Sequence, residues 1–263
     1  VRLSAGAVGM WVVLCLVAMY FALPLLSVVL KVSMEGFLTS LLSPVVLSSL
    51  RLSLLTSTTS LGLSMLFGTP VAYMLARREF VGKRVLETLL DLPLVIPPVV
   101  AGIALLMAFG RMGVLGSYLH AHGVSIAFTT VAVVMAQTFV AAPFYIKSAK
   151  AGFSGVDRRL EQAARTLGAG QVHTFFSITL PLSLPSVLTG ALMTWARALG
   201  EFGATIMFAG NFMGRTQTMP LAIYSSLQSS LDSALTLSVI LMALSFSILM
   251  TVRIAARRVE AIA

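Results

Sequence analysis

The sequence predicts an all-α, polytopic membrane protein of about six transmembrane helices, with one short amphipathic helix in a cytoplasmic loop. Three observations lead there. Of 263 residues, 58% are hydrophobic and only 10% are charged, with a mean hydropathy of +0.97. A soluble domain carries about 25% charged residues, and so few charges do not cover a water-facing surface. Six apolar runs reach the ~20 residues that a spanning helix needs. The basic residues cluster in alternate gaps between those runs.

The runs cover residues 5–30, 47–76, 89–109, 126–146, 182–199 and 234–252. They are too long for barrel strands, and helix is the structure that satisfies its own backbone in lipid. The first run is too long for a signal-peptide core and lacks a small-x-small cleavage site, so it is expected to be retained as a span. The second carries Ser53, Thr56, Ser57, Thr58, Thr59 and Ser60. Their hydroxyls are suited to bonding back to helix carbonyls or across to a neighbouring helix.

Thirteen of the 18 basic residues fall on one side: Arg2, Arg77, Arg78, Lys83, Arg84, Lys147, Lys150, Arg158, Arg159, Arg165, Arg253, Arg257 and Arg258. The positive-inside rule makes that side cytoplasmic, with both termini on it, as an even number of spans requires. The net charge of +9 is therefore read as topology and not as an affinity for nucleic acid. No repeat, linker or soluble domain interrupts the chain, which is expected to form a single membrane domain over residues 1–263. Cys15 is the only cysteine, which excludes a disulfide or a cysteine metal site and suggests a small buried hydrophobe.

The loop at 147–181 is the most informative stretch. Ser154 followed by Asp157 resembles a capping box. Leu160, Ala163, Ala164 and Leu167 then fall at i, i+3, i+4 and i+7, one face of a helix. Arg158, Arg159, Glu161, Gln162 and Arg165 take the remainder, and Gly168 stands where a helix-ending glycine belongs, followed by Gly170. A helix of about three turns is expected. A helix lying on lipid favours bulky apolar side chains; alanine at two contact positions suits close docking against a protein instead.

That stretch resembles the cytoplasmic signature of ABC importer permeases, Glu-Ala-Ala-x3-Gly-x9-Ile-x-Leu-Pro. Here Ala163-Ala164, Gly168, Ile178 and Leu180-Pro181 keep the spacing. Gln162 replaces the acidic residue, and Glu161 precedes it. The resemblance implies a coupling helix that inserts into a groove of a separate ATPase, with Arg158, Glu161, Gln162, Ala163, Ala164, Leu167 and Gly168 as contacts.

The chain itself lacks a phosphate loop: Gly82-Lys83 runs into Arg84, without the earlier glycine. It also lacks a hydrolase motif or paired carboxylates, so it is not expected to be an enzyme. His120 and His122 form an H-x-H in an outer loop, with no nearby carboxylate or cysteine, and no metal is assigned to them. His173 is expected to pack beside the docking helix.

Ionisable residues in or near spans are functional candidates. Asp91, with Glu87, precedes Pro93, Pro97 and Pro98, which should break or kink the third span. Asp91 and Pro97 are pathway candidates; an ordinary packed kink is the alternative. Arg197 and Glu201 are four apart at the outer end of the fifth span and suited to pairing. With Gly203 and Thr205 they are gate candidates, against the alternative of a local pair that neutralises two charges. Gly200 and Gly203 permit close approach between helices, as at a dimer axis. Asn211, Arg215 and Gln217 make a donor-rich outer loop, read as a contact for a docked protein, with Arg215 also suited to an oxyanion.

Together these stretches resemble molybdate/tungstate importer permeases over almost the whole chain, and share much with sulfate/thiosulfate permeases. The resemblance implies a permease homodimer in the cell membrane, two ATPase subunits holding ATP-Mg, and an extracytoplasmic substrate-binding protein. It implies no cofactor on this chain. A stand-alone secondary transporter or channel is the alternative of another class, and it would call for unwound mid-membrane sites and a repeated half.

Overall fold

The computed structural model describes residues 5–260, which form helices joined by short loops, with no strand among the described residues. Arg2 and residues 261–263 lie outside them. Five helical stretches are long and apolar enough to cross a bilayer. They are α1 (Ala5–Lys31), α3 (Pro44–Arg77), α7 (Thr130–Gly155), the continuous stretch Gln171–Leu199, and α13 (Leu231–Glu260). A short α2 (Met34–Leu41) joins α1 to α3. Ser33, Ser43 and Thr129 cap α2, α3 and α7 by accepting from Gly36, Val46 and Ala132 backbone N–H groups.

The third expected span is two helices, α4 (Lys83–Val95) and α5 (Pro98–Phe109), bent by 118° at Ile96-Pro97. A residue before proline avoids helical ψ, and Ile96 and Pro97 take ψ of 142° and 136°. Two successive prolines thus turn the chain sharply where one would only kink it. A short α6 (Gly116–Ala121) follows.

The fifth span starts earlier than its hydropathy suggests. It consists of α9 (Gln171–Thr174), a π-helical segment Phe175–Thr179, and α10 (Leu180–Leu199). The wider turn falls just before Pro181, where a regular helix loses a hydrogen bond and crowds the carbonyl four residues back. Between α7 and this span lies α8 (Arg158–Thr166); beyond it come α11 (Gly203–Ala209) and α12 (Met219–Ser229).

The centre of the bundle is α7, packed between α3 and α10. Small residues let these helices approach: a Cβ at Gly190 would lie 2.7 Å from Ser148 Cβ. Along α3 runs a buried stripe of Ser49, Ser53, Thr56, Ser57, Ser60 and Ser64, which meets α12 at Ser49 and Ser53 and α7 at Ser60. Thr56 and Ser64 donate back to Leu52 and Ser60 carbonyls, while Ser60 accepts from Thr138 and Ser53 accepts from Met219 N. Both roles expected of the hydroxyl-rich span are therefore present. Over the other end of α7, a core of Ala101, Leu105, Val133, Ala136, Ala204 and Phe208 joins α5 and α11.

In contrast, α1 lies along α13 with its apolar side chains uncovered, including Trp11, Tyr20 and Phe21. Cys15 is exposed there and is not the buried hydrophobe that its residue type suggested, because α13 leaves that part of α1 uncovered.

Candidate functional site

The end of the bundle where α3 and α7 finish gathers most of the basic residues. There α8 is built from local signals. Its N-cap is Asp157, whose carboxylate accepts from Arg159 N at 2.9 Å. Ser154 still belongs to α7, so the capping box read from its spacing does not form. At the other end Gly168 has φ +88°, Gly168 N bonds Arg165 O at 3.0 Å and Ala169 N bonds Ala164 O at 3.0 Å. That pairing is a Schellman end, and a left-handed residue there favours glycine.

The side chain that fixes α8 is Glu161, which is buried. Its Oε1 accepts from Arg77 Nη2 at 2.8 Å, Arg77 Nε at 3.1 Å and Thr179 Oγ1 at 2.6 Å. Arg77 Nη2 also donates to Val156 O, and Arg158 Nη2 donates to Ala76 O. One carboxylate therefore ties α8 to the end of α3 and to the π-segment. Leu160, Ala163 and Leu167 face away, with Leu167 89% exposed. Gln162 is exposed beside Arg77, and Ala164, Leu167, Gly168 and His173 line a cavity of about 530 Å³ on the other side of the helix.

The pathway candidates separate into two places. Asp91 pairs with Lys147 at 3.0 Å and Glu87 with Lys150 at 2.6 Å, both partly exposed pairs between α4 and α7. Pro97 stands at the 118° bend, next to the contact between α5 and α11. A Cβ at Gly203 would lie 2.9 Å from Pro98 Cβ, so the close approach that Gly203 permits is within this chain. Gly200 is exposed.

Arg197 and Glu201 meet at 2.5 Å across the end of α10. Glu201 is buried; its Oε1 accepts from Ala204 N at 2.8 Å and so caps α11. Its Oε2 touches Arg197 as an ion pair without hydrogen-bond alignment. Thr205 Oγ1 and both amide atoms of Gln137 are also buried without a hydrogen-bond partner. Buried polar groups are nearly always paired, so this set is unusual.

In the loop between α11 and α12, Arg215 extends an exposed side chain while its carbonyl accepts from Thr130 Oγ1. Asn211 turns inward instead and donates to Ser225 Oγ at 2.6 Å. Gln217 is half-buried. His120 and His122 bond Ser125 and the Tyr118 carbonyl, and no group of three metal-ligating side chains occurs among the described residues.

Sequence reasoning missed Arg77, Thr179 and Gln137 as site residues. The signal for Thr179 was in view, since it fills the variable position between Ile178 and Leu180-Pro181 of the signature.

Several long apolar helices, one broken span and a short helix tied to the ends of two spans define a polytopic membrane protein. The chain belongs to the family of binding-protein-dependent transport system inner membrane components, whose pattern matches residues 68–260. It is 44% identical over 233 residues to the molybdenum transport system permease protein ModB of Mycobacterium tuberculosis, covering 88% of each chain. It is 39% identical over 236 residues to the molybdate/tungstate transport system permease protein WtpB of Pyrococcus abyssi, covering 89% of each. Its fold matches a chain of a bacterial alginate ABC transporter in complex with a periplasmic protein. The TM-score is 0.74 at 17% identity, over 95% of this chain and 94% of that one.

Proposed function

We propose that the chain is the permease of an ATP-driven importer of molybdate or tungstate, taking the anion from an extracytoplasmic binding protein into the cytoplasm. The observation that carries this reading is its likeness over most of its length to permeases named for those anions. ATP hydrolysis takes place on a separate subunit, which holds ATP-Mg. The basic end of the bundle faces the cytoplasm, with both chain termini, because basic residues are retained on that side. The whole chain acts as one membrane domain.

In this reading α8 is the coupling helix. Its exposed face of Leu160, Ala163 and Leu167 meets the ATPase, with Gln162, Ala164 and Gly168 at the edge of that contact. Glu161 and Arg158 hold the helix from behind. Closure of two ATPase subunits draws two coupling helices together, and the Glu161 contacts carry the shift into α3 and α10. Such a rigid-body change suits packed, bistable helices. The break between α10 and α11, with Arg197, Glu201, Gly203 and Thr205 against Pro97-Pro98, forms the gate. The uncovered apolar length of α1 supports a second permease copy as its partner. Arg215 meets the binding protein at the outer mouth, with Asn211 and Gln217 shaping the loop that presents it.

The test is uptake into liposomes holding the permease, its ATPase and its binding protein. Molybdate or tungstate should enter only with ATP and all three components, and sulfate should not compete at equal concentration. Anion uptake by the permease alone would make it a secondary transporter or channel. Equal uptake of sulfate would move the substrate assignment to the sulfate class.

A further inference from the structure

We propose that the basic end of α3 binds one anionic phospholipid. Its phosphate sits among Arg77, Arg78, Arg158 and Arg165, and an acyl chain lies in the apolar groove between α3 and α10.

Two adjoining cavities carry this inference. The first, about 410 Å³, is lined by those four arginines and a single carboxylate, Glu161. That carboxylate is already engaged by Arg77 and Thr179. Neither Arg78 nor Arg165 has a carboxylate partner among the described residues, and both are exposed. The second cavity, about 560 Å³, is walled by apolar side chains, among them Met65, Leu66, Phe175, Phe176, Leu180 and Val187. Tyr73 and Gln171 line both, so the two cavities adjoin.

Their order matches a lipid. Along α3 the arginines come last, Tyr73 lies one turn before them and Met65 two turns further in. At 1.5 Å per residue, Arg77 to Met65 spans roughly 18 Å. One leaflet of a ~30 Å hydrocarbon core is about that deep. The charged cavity lies where α3 ends, and guanidinium groups bind phosphate through paired hydrogen bonds. Basic pockets between spanning helices are recognised sites for anionic headgroups.

Other occupants satisfy only half of the site. A free inorganic anion would use the arginines and leave the groove empty. A helix of a second permease copy would fill the groove and leave the arginines uncompensated. The lipid also leaves Leu160, Ala163 and Leu167, the centre of the proposed docking face of α8, free. The cavity takes Arg158, Glu161, Gln162 and Arg165, whereas Leu160, Ala163 and Leu167 face elsewhere. The inference needs only that the chain spans a membrane, so it stands apart from the transport reading.

The test uses the intact permease–ATPase complex in nanodiscs of phosphatidylglycerol and phosphatidylcholine, read by native mass spectrometry. One phosphatidylglycerol per permease should be retained over phosphatidylcholine. The double variant Arg78→Gln/Arg165→Gln should weaken that retention roughly 25-fold, about fivefold per arginine. Leu66→Trp, which fills the groove, should lower it with all arginines in place. As a check needing no variant, short-chain phosphatidylglycerol should bind the wild-type complex saturably, and inorganic phosphate should not displace it.

Unchanged retention in both variants overturns the proposal, as does a wild-type complex that shows no preference for the anionic lipid. Displacement by inorganic phosphate alone would make this a free-anion site. Loss of the permease dimer in Leu66→Trp would give the groove to a second copy.

Discussion

Glu161 and Glu201 are both buried carboxylates facing an arginine, yet their surroundings differ in kind. The Glu161 partners lie 84 and 18 residues away, and three hydrogen bonds converge on one oxygen. The Glu201 partner is four residues away, in the last turn of α10, with Glu201 just beyond the helix end. Its second oxygen is not aligned for a hydrogen bond, and Thr205 in α11 is buried and unpaired as well; Gln137 on α7 is a further buried side chain without a partner. A long-range junction of three hydrogen bonds ties α8 to α3 and to the π-segment. An under-satisfied, local one leaves hydrogen-bonding capacity unused at the break between α10 and α11. The first suits a lever and the second a part that changes partners.

The largest effect should come from Glu161→Ala. It strands the nearly buried Arg77 guanidinium, and removing one member of a buried pair costs about 3–5 kcal/mol. Melting of the purified complex should fall clearly, and ATP-driven uptake should be lost. A melting curve like that of the wild type would remove the distinction between the two carboxylates.

Gly168→Leu comes next. A left-handed conformation costs a non-glycine residue about 1–2 kcal/mol, and the Schellman end of α8 would shift. The protein should still insert, while ATPase activity continues without transport; coupled transport at the wild-type rate would count against the docking role.

Gln137→Leu sharpens the other half of the comparison. An unsatisfied buried polar group costs about 1–3 kcal/mol, so the variant should melt at a higher temperature and transport more slowly. A lower melting temperature would mean that Gln137 has a partner in the assembled transporter.

The smallest effect belongs to Arg215→Ala, an exposed charge of the kind that contributes about 0–1 kcal/mol. Uptake should fall only when substrate is limiting, through weaker association with the binding protein. Unchanged uptake there would return Arg215 to an ordinary solvated loop.

Local signals were legible in the sequence and distant ones were not. Gly168 announced the end of α8 because a left-handed turn asks for glycine. The prolines at 93, 97 and 98 announced the broken third span. The facing of α8 was harder. Its periodicity showed which side is apolar, and in a soluble domain that side would turn inward. Here the inward position goes to Glu161, because Arg77 at the end of α3 demands a counter-charge, and the apolar side is left for a partner. No spacing rule links Arg77 to Glu161 across 84 residues. Asp157 became the cap in place of Ser154 because α7 continues to Gly155 before the chain turns. Gln137 is one polar residue in an apolar run; only packing reveals that its amide finds nothing to bond.

The most direct test of the account is thiol protection on α8. With Cys15→Ser as background, Ala163→Cys places a single thiol on the exposed face. It should react readily with a water-soluble maleimide in the free permease and become protected when the ATPase binds. Labelling at the same rate with and without the ATPase would contradict the claim that this face of α8 is where the two proteins meet.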